Sequence, residues 1–408
     1  MRSKRLRLLV AILLLAPLAV PALAEVQPLG SEFRVNRTND FQQKNPVAAF
    51  AGSGAALVVW ENDRSGIRGA FHRLDGTAVG AQITLVANEG LSGTAEGMVR
   101  DHRDPVVAFL PSGHFLLAWT EVRSSVRVEP FFEDRDVLDQ DILVQRFDAA
   151  GAPAGPRHRV NATTTGFQSL PKLAVLPNGN ALVVWQGAGL SARLVNGSGQ
   201  PVGAEVKVTT DETAGHQAVA AGRNGFLVAW DAAGAGTSDV LARLFAASGQ
   251  PDGPAFRVNA AAAGQQRWPA VAPGKNGDFL VAWQSFVADR AAVRIHGQFV
   301  SRDGGFLGSS FFISANEGPA KLAPALAPAK GGGFMAAWLD WAGLAWGIKV
   351  VELDSLGARV GDEVWASSSR VQKNYRTSIA SDGKGGFLVP WETVANRHQV
   401  ISARGLAQ

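Results

Sequence analysis

The sequence contains no cysteine, a single tyrosine and only three methionines among 408 residues. The absence of cysteine excludes disulfide bonds, thiolate metal sites, a thiol nucleophile and a lipidated N-terminal cysteine. Stability must therefore come from the burial of apolar side chains. After residue 24 the sequence offers no run of ~20 uninterrupted apolar residues, so we expect no membrane-spanning segment.

The first 24 residues have the pattern of an export signal. Arg2, Lys4, Arg5 and Arg7 precede the apolar stretch LLVAILLLAPLAV, and Ala22-Leu23-Ala24 is the small-residue pattern that a signal peptidase recognises. We expect residues 1–24 to be a signal peptide and residues 25–408 to form one exported domain, either periplasmic or extracellular.

The positive charge of the chain belongs to this leader. Setting its four basic residues aside lowers the count of Lys and Arg from 39 to 35, which equals the 35 Asp and Glu. Nucleic-acid binding depends on a basic surface that neutralises phosphates. A mature domain without net charge is therefore not expected to bind nucleic acid.

A short apolar run ending in Trp occurs seven times, as ALVVW, FLLAW, ALVVW, FLVAW, FLVAW, FMAAW and FLVPW. Most copies follow a Pro by fourteen residues, and glycine-bearing turns separate the short runs, which predicts strand-turn-strand units. Four short strands in each unit of roughly 50 residues predict a β-propeller. We interpret the repeated Trp residues as core; stacking on a ligand is the alternative.

The sequence predicts an all-β fold, a seven-bladed β-propeller of four-stranded blades. Seven Gly-led fourth strands match the seven Trp strands, but the first Gly-led strand precedes the first Trp unit. We therefore expect the N-terminal strand, near Phe33, to complete the last blade and to close the ring.

Two polar positions recur around each Trp. Gln43, His102, Gln168, Gln266, Lys321 and Asn374 stand three residues before the Pro-like position, where repetition predicts a structural role through backbone hydrogen bonds. The residue after Trp is often polar, and we interpret it as an inter-blade hydrogen-bonding group; ligand binding in the channel is the alternative. These residues are Glu61, Gln186, Asp231, Gln284 and Glu392.

Both long insertions fall on one rim, next to the second blade, which makes this variable rim the candidate working face. The longer insertion, TEVRSSVRVEPFFEDRDVLDQD, offers Phe131 and Phe132 as apolar contacts. The shorter one contributes His102 and Arg103. A lone histidine is more often a hydrogen-bonded scaffold group than a catalyst.

The same insertion carries four closely spaced aspartates, Asp134, Asp136, Asp139 and Asp141. Hard oxygen ligands crowded in this way could hold calcium. The spacing lacks the central Gly and terminal Glu of a calcium loop, so we expect a solvated acidic loop; calcium binding by these aspartates is the alternative, and no other cofactor is expected.

Three tryptophans outside the repeat, Trp268, Trp341 and Trp346, map to the variable rim of adjacent blades. Flat indole faces bordered by polar groups suit a sugar or a protein partner. Packing of these loops over the blade ends is the alternative.

The chain resembles exported bacterial proteins built from tandem propeller repeats of the form V-N…Q-x-x-P-x-V-A…G-x-F-L-V-A-W, and its best copy is FRVNAAAAGQQRWPAVAPGKNGDFLVAW. More distantly it is similar to sialidase-like propellers. Their Asp-box turn is approached only at Ser301-Arg302-Asp303-Gly304-Gly305, without its Trp, so the resemblance does not extend to sialidase activity.

The leading functional hypothesis is a non-enzymatic, monomeric propeller that binds a protein or glycan on the variable rim next to blade 2. The alternative is a carbohydrate-active hydrolase or lyase that uses carboxylates at the channel mouth. The sequence shows no Ser-His-Asp spacing, no phosphate loop and no histidine cluster suited to a metal.

Overall fold

The computed structural model describes most of the chain from residue 25 onward. The described residues are 25–38, 40–52, 54–90, 96–128, 133–234, 236–260, 264–287, 292–341, 343–367, 371, 377–395 and 398–408. Within these ranges no helix is both long and apolar enough to cross a membrane.

The described chain is built from short β-strands. In chain order these are β1 (Gln27–Arg34), β2 (Gln43–Phe50), β3 (Ala56–Asn62), β4 (Gly66–His72), β5 (Ala78–Val86), β6 (Glu96–Phe109), β7 (Phe115–Val128), β8 (Glu133–Phe147), β9 (His158–Arg159), β10 (Ser169–Val175), β11 (Ala181–Gly187), β12 (Gly189–Val195), β13 (Pro201–Thr209), β14 (Gly215–Ala221), β15 (Gly225–Ala233), β16 (Ser238–Ala246), β17 (Phe256–Arg257), β18 (Gln265–Pro273), β19 (Phe279–Val287), β20 (Ala292–Val300), β21 (Phe306–Phe312), β22 (Lys321–Pro328), β23 (Phe334–Trp341), β24 (Trp346–Leu353), β25 (Arg359–Trp365), β26 (Ala380–Ser381), β27 (Gly386–Ala395) and β28 (His398–Ala407).

The strands form an all-β propeller, but the prediction of seven four-stranded blades is wrong. Hydrogen bonding in the described chain gives five four-stranded blades, and strands β14 to β21 belong to a single eight-stranded sheet. The physical reason is a parallel bridge between Ser238 in β16 and Gln265 in β18. The Ser238 hydroxyl also donates to the carbonyl of Gln266, so the sheet continues sideways from β16 into β18.

The predicted pairing of the N-terminal strand is present. β1 pairs antiparallel with β28, with Phe33 opposite Ala403, in a sheet whose order is β1-β28-β27-β26. The innermost strands contact one another in a ring that returns to its start. They are β2, β6, β10, β14, β18, β22 and β26, and β26 contacts β2.

The repeat tryptophans are core residues, as predicted, and each is at most 1% exposed. Four indoles donate through Nε1 to the polar position seventeen residues earlier: Trp60 to Gln43 at 2.6 Å, Trp119 to His102 at 2.9 Å, Trp185 to Gln168 at 2.9 Å and Trp283 to Gln266 at 2.9 Å. Gln43 and Gln168 also donate to backbone carbonyls of the preceding turn. This confirms a structural role for these residues.

Trp230 is the exception among the indoles. Its Nε1 is buried without a hydrogen-bond partner among the described residues. The register of β14 against β15 places Ala214 where other repeats have Gln, because this repeat is one residue shorter. A methyl group cannot accept the indole hydrogen bond.

Side chains that follow the repeat Trp, on the second strand of one repeat, bind the innermost strand of the next repeat, which confirms the predicted inter-blade role for Glu61, Asp231, Gln284 and Glu392. Five of these side chains accept from a backbone N–H whose residue has a positive φ and stands next to a break in the strand register. The bonds run from Asn45 N to Glu392 (2.5 Å), from Asp104 N to Glu61 (3.1 Å), from Leu170 N to Thr120 (3.2 Å), from Trp268 N to Asp231 (2.7 Å) and from Ala323 N to Gln284 (3.0 Å). Non-glycine residues adopt this conformation at a cost of about 1 kcal/mol or more, so these bonds hold a strained backbone.

The insertion predicted as an acidic loop is β-strand in its described part. β6, β7 and β8 contain 14, 14 and 15 residues and form one antiparallel extension. Val99, Val122 and Val126 are buried on one face of it. This alternation of apolar and charged residues favours strand over loop.

The missing indole partner at Trp230 predicts unequal effects of two matched substitutions. Trp185→Phe leaves the buried Oε1 of Gln168 without its donor, whereas Trp230→Phe removes an unsatisfied N–H. We expect Trp185→Phe to lower the free energy of unfolding by about 1–3 kcal/mol more than Trp230→Phe, as measured by denaturant titration. Equal losses would show that the indole hydrogen bond contributes nothing.

Closure by β1 predicts that the N-terminal strand is needed for stability. Deleting residues 25–35 removes the β1–β28 ladder and the fully buried side chains of Val26 and Val35. We expect a loss of about 3–6 kcal/mol, from ~1.5–3 kcal/mol for each buried valine. Thermal unfolding of 36–408 and of 25–408 measures it, and identical melting temperatures would contradict the closure.

Candidate functional site

The channel mouth is bordered by residues at the strained backbone positions of the innermost strands. Two of them, His216 on β14 and Trp268 on β18, have stacked rings with centroids 4.0 Å apart and an interplanar angle of 19°. Because their backbones are fixed by the fold, their rings are presented in a defined place.

Asp231 joins these two residues. Its carboxylate accepts from the Trp268 backbone N–H at 2.7 Å and lies 2.9 and 3.0 Å from His216 Nδ1. Asp231 is 4% exposed, whereas the His216 side chain is 32% exposed. A carboxylate on Nδ1 fixes the tautomer in which Nε2 carries the lone pair, so His216 has the arrangement of an oriented acid–base group.

A cavity of about 760 Å³ opens beside Trp268, on the rim between β18 and β23. Trp268, Trp341 and Trp346 all line it, and the rings of Trp341 and Trp346 meet edge to face with centroids 5.3 Å apart. The structure therefore brings the three predicted tryptophans together. All three lie in strands, and not in the loops that the sequence predicted for them: Trp268 in β18, Trp341 at the end of β23 and Trp346 at the start of β24.

The polar groups of this cavity are few. Gln265 and Arg267 on β18 and Gln284 on β19 line it, and none of the described lining residues carries a carboxylate. Its volume falls within the range of small-molecule sites, and its lining combines aromatic walls with sparse polar groups, as such sites do.

The charged face of the β6–β8 extension is a second region of interest. The register places Asp134, Asp136, Asp139 and Asp141 of β8 on the same face, because a bulge between Val137 and Asp139 restores the alternation. Asp139 pairs with Arg123 at 2.9 Å, and Asp141 accepts from Asn161 Nδ2 at 2.6 Å.

No three His, Asp or Glu side chains of the described ranges converge as metal ligands. The acidic residues lie along a strand, and two of them have cationic or amide partners within the sheet. Calcium binding by these four aspartates stays a prediction.

The remaining predicted site residues are placed as follows. His102 is 1% exposed beneath the rim, and its Nδ1 accepts from Trp119. Arg103 is half-exposed and pairs with Asp101, which also binds Arg135. Phe131 and Phe132 lie outside the described residues. Ligand binding by these residues stays a prediction.

Burial shapes the ionisation of the groups below this face. It lowers the pKa of His102 to about 4, and Arg157 lowers it further. It raises the pKa of Glu121, which lies 3.8 Å from both Arg100 and Arg157. Because indole N–H only donates, His102 Nδ1 must be unprotonated, so the ring is neutral in the folded state.

The sequence argument missed His216 and Arg267. His216 stands in the shortened repeat that ends at Trp230, and this irregularity was the available signal. Its contacts with Asp231 and Trp268 join separate repeats, so no local spacing indicates them. Arg267 directly precedes one of the predicted tryptophans.

Comparisons with known proteins agree with the fold. No protein-family model matches the chain, and neither does any curated protein. A crystal structure of a protein of unknown function from Dyadobacter fermentans matches with a TM-score of 0.55 and 11% identity, covering 94% of this chain and 100% of that one. A structure described as an ulvan lyase of polysaccharide lyase family PL25 matches with a TM-score of 0.51 and 11% identity, covering 93% and 95%.

A third structure, an alpha-L-arabinanase from Penicillium chrysogenum complexed with arabinobiose, has a TM-score of 0.46 and 11% identity over 91% of this chain and 98% of that one. The fold is that of a β-propeller. Identities this low establish a shared fold alone.

The buried neutral His102 predicts a pH dependence of stability. Above pH 6.5 the His102 ring is neutral in both the folded and the unfolded state. As the pH falls from 6.5 toward about 4, the ring becomes protonated in the unfolded chain but stays neutral in the folded protein. The free energy of unfolding therefore decreases over this pH range. The shift corresponds to about 3 kcal/mol. We expect His102→Gln, which supplies the side chain present at Gln43, Gln168 and Gln266, to flatten this loss.

Denaturant titrations of wild type and His102→Gln across that pH range measure the effect. His114→Gln, in the turn between β6 and β7, is the control. A pH profile of His102→Gln that superposes on the wild-type profile would contradict the assignment.

Proposed function

We propose that the protein is an exported carbohydrate-active enzyme that binds a saccharide chain along the variable rim. In this proposal Trp268, Trp341 and Trp346 bind sugar rings, and His216 is the acid–base residue, oriented by Asp231. The observation that carries the proposal is the stacking of His216 on Trp268, which also lines the rim cavity.

The chemistry of the dyad supports this proposal. An imidazole whose Nδ1 donates to a carboxylate has the lone pair of Nε2 available to accept a proton from a substrate. Its partial exposure lets a substrate approach. The indole beside it offers an apolar surface for the faces of a sugar ring.

The structural contacts of Glu61 and Glu392 at the channel mouth favour a histidine, and not a pair of carboxylates, as the acid–base group. Glu61 and Glu392 each accept the backbone N–H of a strained residue on the next innermost strand. Such carboxylates already have a structural function. The structural likeness to an ulvan lyase supports only that a propeller of this type is compatible with saccharide chemistry.

Non-enzymatic saccharide binding is the second candidate function. The observation in its favour is that the three tryptophans line one cavity whose described lining residues include no carboxylate. The two candidates differ in whether substitution of His216 abolishes product formation.

The test is to incubate the protein with a panel of acidic and neutral polysaccharides and to measure newly formed chain ends. We expect His216→Gln to lower the rate by about 10²–10⁴-fold, the usual contribution of a general acid–base group. His114→Gln, a matched substitution on the opposite rim, should retain the wild-type rate.

Two outcomes would contradict the enzymatic proposal. In one, the His216→Gln protein is as active as wild type. In the other, wild type binds saccharides, with affinity lost in Trp341→Ala, but forms no product from any polymer of the panel; this outcome would favour the binding function.

A further inference from the structure

We infer that the saccharide recognised by the rim cavity is acidic and that Arg267 binds its carboxylate. This inference rests on the proposed function, because it names the substrate class of the same site. It is carried by the charge of the cavity lining.

Arg267 is exposed at the cavity wall, in the residue directly before Trp268. Its register partner on β19 is Gln284, which also lines the cavity and presents a neutral amide. Within the described chain Arg267 forms no ion pair, and no carboxylate lines this cavity with it. The site therefore offers a guanidinium without a counter-charge of its own.

Three arginines near the β6–β8 extension differ from Arg267 in this respect. Arg100 lies 2.9 Å from Glu89, and Arg123 lies 2.9 Å from Asp139. Arg157 lies 2.6 Å from Glu89. These three guanidinium groups are neutralised within the fold, whereas the Arg267 guanidinium has no carboxylate partner among the described residues.

The geometry of a guanidinium suits a carboxylate. Its planar fork of N–H donors matches the two oxygens of a carboxylate, and such charge-assisted pairs are stronger than neutral hydrogen bonds. Gln265 and Gln284 add neutral amide groups for sugar hydroxyls. Three indoles, one unpaired cation and two amides together fit a uronate-containing saccharide better than a neutral one.

The test measures binding by calorimetry with the His216→Gln protein, so that the ligand is not consumed. The probes are oligosaccharides of galacturonate, glucuronate and mannuronate, each compared with its carboxyl-reduced, neutral counterpart. We expect at least one uronate oligosaccharide to bind about 10-fold or more tightly than its reduced form. Added salt should weaken the acidic ligand selectively, because the pair is partly exposed.

Arg267→Gln should remove this preference while leaving the affinity for the reduced form within about twofold. Arg302→Gln, on the turn between β20 and β21 at the opposite rim, is the matched control and should keep the preference. A sulfated neutral oligosaccharide that binds as well as the uronate would show that the site recognises anionic sugars in general and not carboxylates.

The outcomes separate this inference from the proposed function. Equal binding of acidic and reduced ligands, or a preference that survives Arg267→Gln, would overturn the inference and leave saccharide binding intact. Failure of every saccharide to bind would overturn both.

Discussion

The propeller depends on one hydrogen bond repeated around the channel, from a strained backbone N–H on an innermost strand to the side chain that follows the Trp of the preceding repeat. The bond from Trp268 to Asp231 is representative. It spans successive repeats, so it fixes the angle at which they meet, and it holds a φ of 60° at a bulky residue. The break in strand register at the same place turns the strained residue out of the ladder.

This arrangement separates structure from chemistry at the channel mouth. The backbone of the strained residue makes the structural bond, so its side chain is free to differ between repeats. These side chains include Asn45, Asp104, Leu170, Trp268 and Ala323. His216 has the same positive φ in the repeat before Trp268, which explains how a regular scaffold presents an irregular pair of rings. Asp231 then has two functions, since it also orients the imidazole.

The sequence predicts what repetition specifies and fails where one repeat departs from the others. The buried Trp strands, the polar partners of the indoles and the pairing of β1 follow from patterns copied along the chain. Strands β14 to β21 form one sheet because of the bridge between Ser238 and Gln265, and the repeat pattern of the sequence does not indicate this bridge. The contact between His216 and Trp268 likewise joins residues of different repeats. The charged residues of the β6–β8 extension are typical of a loop, so composition alone does not predict its strands. The buried Val122 and Val126, which alternate with polar residues, are the signal for a strand.

The pairing of β1 with β28 also constrains the order of folding. Leu29 lies opposite Gly405, and Val35 donates its N–H to the carbonyl of Ile401. Two strands that are far apart in the sequence must therefore come together. During vectorial synthesis the early strand has to remain unpaired, with its apolar side chains uncovered, until the late strand emerges. Bringing the two strands together has an entropic cost, but this cost grows only with the logarithm of the number of residues between them. We therefore expect the pairing of β1 with β28 to form last during folding. Until it forms, the unpaired edge of β28 is the strand edge that a chaperone would bind.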